Sequence, residues 1–247
     1  MLIKSLRADL LKIKGLPITY AHLIIPIIMC GLFLAYYSFI GWDEYSKILA
    51  FFEAIGAGFP VLIGIFTASI MEQEQNAGEC QNLLTLRSKT TAFVSKLVLL
   101  LGLALFSIVL TSVVFGIGFC KILGYNAVSV TTLLMVALVT WCSGIPLYIW
   151  QMFLAFQFGK GISIGVGIVS GLVSALMLTN LGTFVWKYIP FSWTGRIPYT
   201  FLRTVLGCTE ERNDLMEIIP IFLLVTVVSV VCYLLWAFNW EGSKISE

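Results

Sequence analysis

The sequence predicts an all-α integral membrane protein, with six transmembrane helices and an N-terminal interfacial helix. Six apolar stretches are long enough to cross a bilayer, since roughly 20 helical residues span its hydrocarbon layer. The chain of 247 residues is 59% hydrophobic and only 11% charged, and its mean hydropathy is +0.97, whereas soluble domains carry about 25% charged residues. Transmembrane β-strands need only about 10 residues of alternating polarity, but these stretches are longer and apolar on every face.

The six predicted spans cover approximately residues 20–40, 54–71, 93–120, 131–158, 162–185 and 218–238. The connections between them are short, so we expect residues 1–247 to form one transmembrane domain. Three prolines fall inside the spans: Pro26, Pro60 and Pro146. Each removes a backbone donor and favours a kink, which membrane helices tolerate when neighbours satisfy the freed carbonyl.

Residues 1–16 are predicted to form an amphipathic helix. Apolar residues recur at helical spacing: Leu2, Ile3, Leu6, Leu10 and Ile13. Basic residues lie off that stripe: Lys4, Arg7 and Lys14. Such a helix lies flat at the inner membrane surface, with its cations near anionic headgroups. It serves either as a membrane anchor or as a lever that links the first span to a cytoplasmic partner.

The distribution of basic residues predicts the orientation. Four of them precede the first span: Lys4, Arg7, Lys12 and Lys14. Cytoplasmic segments carry an excess of Lys and Arg, and the alternative orientation would leave fewer of these residues on the inner side. The N-terminus and the C-terminus are therefore both expected in the cytoplasm.

The segment 72–92, on the predicted cytoplasmic side, combines charge with an apolar patch. The segment begins with the acidic residues Glu72 and Glu74, and Gly78 follows them. An apolar patch and basic residues follow, the last of them just beyond the segment: Leu83, Leu84, Leu86, Arg87, Lys89 and Lys96. Three leucines are too few for another span but enough to dock in a groove. A partner-docking segment and a plain loop both remain open.

The fifth span carries small residues every four positions: Ser163, Gly167, Gly171 and Ala175. This spacing makes a smooth ridge on which a neighbouring backbone can approach closely. The ridge predicts a helix–helix contact, either within the chain or with another subunit.

The segment 186–217 is predicted to be the long outer connection. It is rich in aromatic residues and prolines, among them Tyr188, Pro190, Phe191, Trp193 and Pro198, with Arg196 between them. Aromatic rings suit the headgroup level, so we expect one or two short helices in the outer interface. The segment is either an ordinary aromatic belt or an exit region for an amphipathic substrate.

The sequence lacks the patterns of nucleotide binding and of common membrane chemistry. The nearest approach to a phosphate-binding loop, at 159–161, lacks the preceding glycine and the hydroxyl residue. The acidic residues close to spans sit at their edges: Glu53, Glu72 and Glu217. Ion-driven transport usually requires ionisable groups inside the membrane, so we expect neither ion-coupled transport nor catalysis by this chain.

No metal site and no nucleic-acid partner are predicted. The six cysteines are scattered, with no CxxC pair, and His22 is the single histidine. Buried cysteine commonly acts as a small apolar residue, so we expect these residues to serve packing.

Four segments resemble the permease subunits of ABC-2-type exporters. They are LRADLLKIKGLPITYAHLIIPI, AFFEAIGAGFPVLIGIFTASIMEQEQNAGECQNLL, PLYIWQMFLAFQFGKGISIGVG and YIPFSW. Within that family the chain resembles the lantibiotic-immunity permeases of the MutG-like (LanG) group. The sister EpiE-like or MutE-like permeases are also similar.

The resemblance implies a bacterial cell-membrane permease that pairs with a second permease and two copies of a separate ABC ATPase. ATP and Mg would be held by that ATPase, and this chain would carry no cofactor. ATP hydrolysis would drive export of a lantibiotic peptide from the membrane lipid, giving immunity or resistance. An ABC-2 permease for another drug or peptide, or a non-transporting scaffold or sensor subunit, is the alternative.

The resemblance also implies roles for particular residues. The ATPase would contact Glu72, Glu74, Gly78 and a helix at 83–89 that includes Leu84, Leu86 and Arg87, while residues 1–16 brace this contact. The outer loop from 188 to 201 would cap the export pathway, with Phe191, Trp193, Arg196 and Pro198 foremost. No catalytic residue is implied.

Overall fold

The structure is a computed structural model that describes residues 2–86, 88–125 and 128–242. Across these ranges the chain forms α-helices and short 3-10 turns and no strand. The helices are α1 (Leu2–Ile13), α2 (Pro17–Phe39), α3 (Glu44–Asn76), α4 (Gln81–Leu84), α5 (Lys89–Lys121), α6 (Val130–Phe158), α7 (Lys160–Leu178), α8 (Trp193–Val205) and α9 (Thr209–Asn239). Six of them are long and apolar enough to cross a membrane: α2, α3, α5, α6, α7 and α9. The prediction of an all-α protein with six spans is confirmed.

The second span is much longer than the predicted 54–71. Helix α3 begins at Glu44, where Asp43 caps it by accepting a hydrogen bond from the Ser46 amide at 2.9 Å. Lys47 does not end the apolar stretch, because its side chain is fully buried and donates to Tyr37 O at 3.2 Å and Tyr125 Oη at 2.9 Å. Glu53, predicted at a span edge, therefore lies inside α3.

The ridge of small residues packs against α3 of the same chain. A Cβ atom on Gly64 would lie 2.9 Å from the Cα of Gly167. Ser163 Oγ lies 2.9 Å from Thr67 Oγ1 and donates to Gly64 O at 3.1 Å. Such close backbone approach is what small residues permit. The partner that the sequence left open is thus intramolecular.

The predicted ridge departs from the structure at its last position. Ala175 is exposed, whereas the neighbouring Ser174 is buried and donates to Gly56 O at 3.2 Å. A helix turns by 3.6 residues rather than four, so a strict four-residue stripe drifts away from the contact. The predicted fifth span, 162–185, also ends early, because the chain leaves the helix after Leu178.

The outer connection contains one short α-helix, as expected, and this helix packs against the transmembrane helices. After α7, three 3-10 turns lead to α8, which packs against α3, α6 and α9. Trp193 is buried, and its ring packs edge to face on Phe222, with the ring centroids 5.5 Å apart. Thr194 Oγ1 donates to Gly56 O at 2.9 Å. These side chains fill space between helices, which gives the aromatic residues a packing role.

Candidate functional site

A buried ionic cluster fixes α1 to two transmembrane helices. Lys96 of α5 donates from Nζ to Asp9 Oδ1 of α1 at 2.9 Å and to Glu74 Oε1 of α3 at 2.6 Å. Lys12 of α1 reaches the same Glu74 oxygen at 2.7 Å, and Ser95 Oγ donates to Asp9 Oδ2 at 2.5 Å. We call these five residues the α1 cluster. The end of the bundle that contains it is the α1 end, and the opposite end is the α8 end.

A tight turn separates α3 from α4. Gly78, Glu79 and Cys80 all have positive φ, at 125°, 51° and 63°. Glycine reaches this region without steric cost, whereas the next two residues are strained there. The turn reverses the chain and directs Leu83 into the core, where it is 2% exposed.

The predicted helix at 83–89 is wrong in its bounds. Helix α4 covers only Gln81–Leu84, and Lys89 is instead the first residue of α5. Ser88 starts that helix, because its side chain accepts a hydrogen bond from the Thr91 amide. Between α3 and α5 the described residues therefore form a turn, one turn of helix and an N-cap.

The structure separates the residues predicted to contact the ATPase into two groups. Glu74 and Leu83 are buried, and Lys89 donates to Trp240 O at 2.7 Å, at the end of α9. Leu84 and Leu86 are 37% and 46% exposed. Other members of the predicted set are less informative: Gly78 is exposed, Glu72 pairs with Lys160 at 2.5 Å, and Arg87 lies outside the described residues. Among the described members of the predicted set, the exposed apolar side chains are those of Leu84 and Leu86.

A groove of about 420 Å³ opens beside this exposed patch. Its walls come from α1, α4, the segment after α4 and the start of α5; they include Lys4, Lys12, Leu83, Leu86, Ser88 and Thr91. Charged side chains line it on both sides, with Lys4, Asp9 and Lys12 on α1 and Lys96 on α5. We call it the α1 groove.

At the α8 end, the residues predicted to line an exit are mostly structural. Arg196 donates to Met177 O and Thr179 O, which are carbonyls at the end of α7. Cations near a helix C-terminus stabilise its free carbonyls. Phe191 packs on Trp150 with ring centroids 5.9 Å apart. The remaining predicted exit residues differ in exposure: Trp193 and Pro198 are buried, Pro190 is half-buried and Tyr188 is 73% exposed.

Lys187 ties the outer connection to the start of α9. Its Nζ lies 2.6 Å from both Asp214 Oδ1 and Glu217 Oε2. Burial lowers the pKa of Lys187, but the hydrogen bonds and charges of the two carboxylates outweigh burial and raise it above the ordinary lysine value. A raised lysine pKa contributes stability that is complete at neutral pH and lost only as the pH rises through the folded value. The contact is therefore intact at physiological pH.

Sequence reasoning missed the role of Asp9. Asp9 is 6% exposed and faces α5. A signal was present, because Leu6, Asp9 and Ile13 follow one another at helical spacing and place an acid on an apolar face. Its partners Glu74 and Lys96 lie far away along the chain, so local spacing does not reveal the pairing.

The described residues contain no group of three or more His, Cys, Asp or Glu side chains that could hold a metal ion. No significant match to the chain is found among curated proteins or among solved structures. The model of a family described as ABC-2 family transporter protein matches residues 5–185, which extend from within α1 to beyond the end of α7. The matched region contains the α1 cluster, the α3–α4 turn and, apart from Lys4, the residues of the α1 groove. The chain therefore belongs to the ABC-2 transporter family, as a multi-pass membrane component of an ABC transporter.

Proposed function

We propose that this chain is a permease subunit whose α1 groove and exposed Leu84 and Leu86 dock a separate ABC ATPase. Membership of the family implies such a partner, since the membrane component does not itself hydrolyse ATP. The observation that supports the docking site is the pair of exposed leucines beside a groove lined by Lys4 and Lys12. Apolar side chains exposed next to a polar rim are typical of interaction sites.

The proposal places the α1 end in the cytoplasm. Lys4, Arg7, Lys12 and Lys14 lie at this end, in agreement with the excess of basic residues on cytoplasmic segments. Leu10 and Leu11 of α1 are 48% and 65% exposed, so α1 can also rest on the inner leaflet. Both termini are then cytoplasmic.

The α1 cluster would transmit force from the docked ATPase to the spans. Its ion pairs join α1 to α3 and α5. The charged side chains in these pairs are buried, except that of Lys12. A displacement of α1 would therefore move Glu74 and Lys96 together with their helices. In this proposal Glu74 acts as a positioning residue behind the docking surface and does not itself contact the ATPase.

Replacing both Leu84 and Leu86 by serine is expected to reduce ATPase capture by about tenfold or more. Burial of a leucine side chain is worth about 1.5–3 kcal/mol, and these partly exposed side chains still have area to bury in a complex. The measurement is the amount of ATPase that co-purifies with the tagged permease. As a control, serine at exposed Gln75 and Gln81 should leave capture unchanged. Equal capture by the leucine variant and the control would contradict this docking site.

For the substrate, we propose a lantibiotic peptide that is expelled from the membrane, giving self-immunity or resistance. The proposal is supported by the resemblance of segments such as YIPFSW to lantibiotic-immunity permeases and by family membership. The transporter would contain this chain, a second permease and two ATPase copies. The outer segment from Tyr188 to Phe201 would cap the pathway through the fixed position of α8.

Expression with its partner subunits is expected to raise bacterial survival on nisin-like peptides and to leave survival on unrelated drugs unchanged. Survival curves with and without the partner genes measure this. A gain against unrelated drugs alone would indicate a permease for another substrate. A captured ATPase without any gain in survival would indicate the scaffold or sensor alternative.

A further inference from the structure

Pro60 leaves one carbonyl of α3 without its usual partner. Proline has no N–H group, so Pro60 cannot donate to Gly56 O, the carbonyl four residues before it in the helix. A freed carbonyl in a membrane protein must find another donor, and Ser and Thr side chains of neighbouring segments supply one. Gly56 is buried, so the donor must come from the protein itself.

Two hydroxyl groups supply these hydrogen bonds, and they belong to two different helices. Thr194 Oγ1 of α8 donates to Gly56 O at 2.9 Å, and Ser174 Oγ of α7 donates to the same atom at 3.2 Å. Both side chains are fully buried. A carbonyl oxygen has two lone pairs, so the two donors saturate it. We call Gly56, Ser174 and Thr194 the α3 joint.

A similar arrangement in α2 shows what is particular to the α3 joint. Pro26 frees His22 O, which accepts a hydrogen bond from Ser107 Oγ of α5 at 2.7 Å. There the hydroxyl joins one transmembrane helix directly to another. In the α3 joint one donor lies on α8, which is not among the six spans. The α3 joint therefore fixes the outer connection to a transmembrane helix.

The same helix also reaches the α1 cluster. Helix α3 is continuous from Glu44 to Asn76, and Glu74 near its end pairs with Lys96 and Lys12. Gly56 and Glu74 are about 27 Å apart along the helix axis, at 1.5 Å per residue. Helix α3 thus carries the α1 cluster near one end and the α3 joint towards the other.

We propose that Thr194 and Ser174 are positioning residues that make the outer connection follow α3 when the α1 end moves. The inference rests on the proposed function, in which the docked ATPase displaces α1 together with Glu74. Without the two hydroxyls α3 would still move, but α8 would lose the hydrogen bonds that hold it to this helix. ATPase capture would be unaffected, because neither residue lies at the α1 end.

The double variant Thr194→Val with Ser174→Ala removes both hydroxyls. Amide hydrogen exchange in α8 is then expected to become about tenfold faster, because an unsatisfied buried acceptor destabilises the contact. The measurement is mass spectrometry on the whole protein in lipid nanodiscs. The matched control is Thr140→Val with Ser170→Ala, whose buried hydroxyls donate within their own helices to Val136 O and Val166 O. This control should leave exchange in α8 unchanged.

Pro60→Ala tests whether the missing N–H group creates the joint. Alanine supplies a donor to Gly56 O from within α3, so the carbonyl no longer needs the hydroxyls. Removing both hydroxyls in this background should therefore change exchange in α8 by only about twofold or less, which a double-mutant cycle measures. An equal effect of hydroxyl removal with and without Pro60→Ala would overturn the proposal.

A functional measurement separates a positioning role from a purely structural one. With its partner subunits, the hydroxyl variant should capture the ATPase as the native chain does, but resistance to nisin-like peptides should fall to near that of cells without the transporter. Full resistance despite faster exchange, or exchange in α8 equal to that of the control, would overturn the proposal. Absence of ATPase capture by the native chain would instead contradict the proposed function. The exchange measurements need neither ATPase nor peptide, so they test the joint in either case.

Discussion

Replacing Lys96 by methionine is expected to lower the free energy of unfolding by about 3–5 kcal/mol, because the change leaves buried charges unpaired. Lys96 is 2% exposed and is the shared partner of Asp9 and Glu74. Without it, Asp9 keeps only Ser95, and Glu74 keeps only the partly exposed Lys12. The measurement is unfolding of the purified protein in detergent, followed by circular dichroism.

The exposed ion pair of Lys160 with Glu72 supplies the matched control. Both side chains are about half exposed, at 56% and 45%. Surface pairs contribute about 0–1 kcal/mol, so Lys160→Met should cost far less than Lys96→Met. If the two variants unfold alike, the α1 cluster does not hold α1 to the bundle. A stable Lys96→Met protein that still captures and couples its ATPase would also remove the proposed route of force transmission.

The second large effect is expected at Gly56, where α3 and α8 meet. A Cβ atom on Gly56 would lie 2.5 Å from both Thr194 O and Gly195 Cα. These are backbone atoms, so no side chain can rotate away, and α8 must move. Overpacking of this kind costs about 1–3 kcal/mol, and the shift would also break the hydrogen bonds of Thr194 and Ser174 to Gly56 O.

Gly56→Ala is therefore expected to destabilise the protein by about 2–3 kcal/mol and to loosen the outer segment. Gly58→Ala, two residues along the same helix, meets open space and should be neutral or slightly stabilising, since alanine is the better helix former. Thermal unfolding measures the first effect, and limited proteolysis between Val205 and Thr209 measures the second. Similar behaviour of the two variants would show that α8 is not held by this contact.

The resemblance of four segments, spread over most of the chain, led to the correct family, and the fold explains why the sequence was sufficient for this. The long apolar runs permit only helices in a membrane, because backbone groups there must be satisfied within the helix. Small residues on the fifth span likewise predicted a close helix contact. Glu74 and Leu83 were assigned to an ATPase contact, but the structure buries both. Their residue types and spacing are compatible with either a surface or a core position.

The interior of α3 shows the same limit. Because Lys47 and Glu53 are charged, the sequence predicted that the second span starts at residue 54, yet α3 starts at Glu44. The charge of Lys47 is accommodated by Tyr37 and Tyr125, which come from other parts of the chain. Hydropathy averages neighbours along the chain and contains no information on such partners.

The sequence by itself determined the number of spans, the all-helical class and the amphipathic character of α1, because each depends on residues close together along the chain. Tertiary structure alone decided that α8 enters the bundle, that α7 packs on α3, and that Asp9, Glu74 and Lys96 meet. These features depend on residues far apart in sequence, whose charges and shapes become complementary only after the helices have packed. Which charged residue is buried was therefore decided by its distant partners and not by its neighbours.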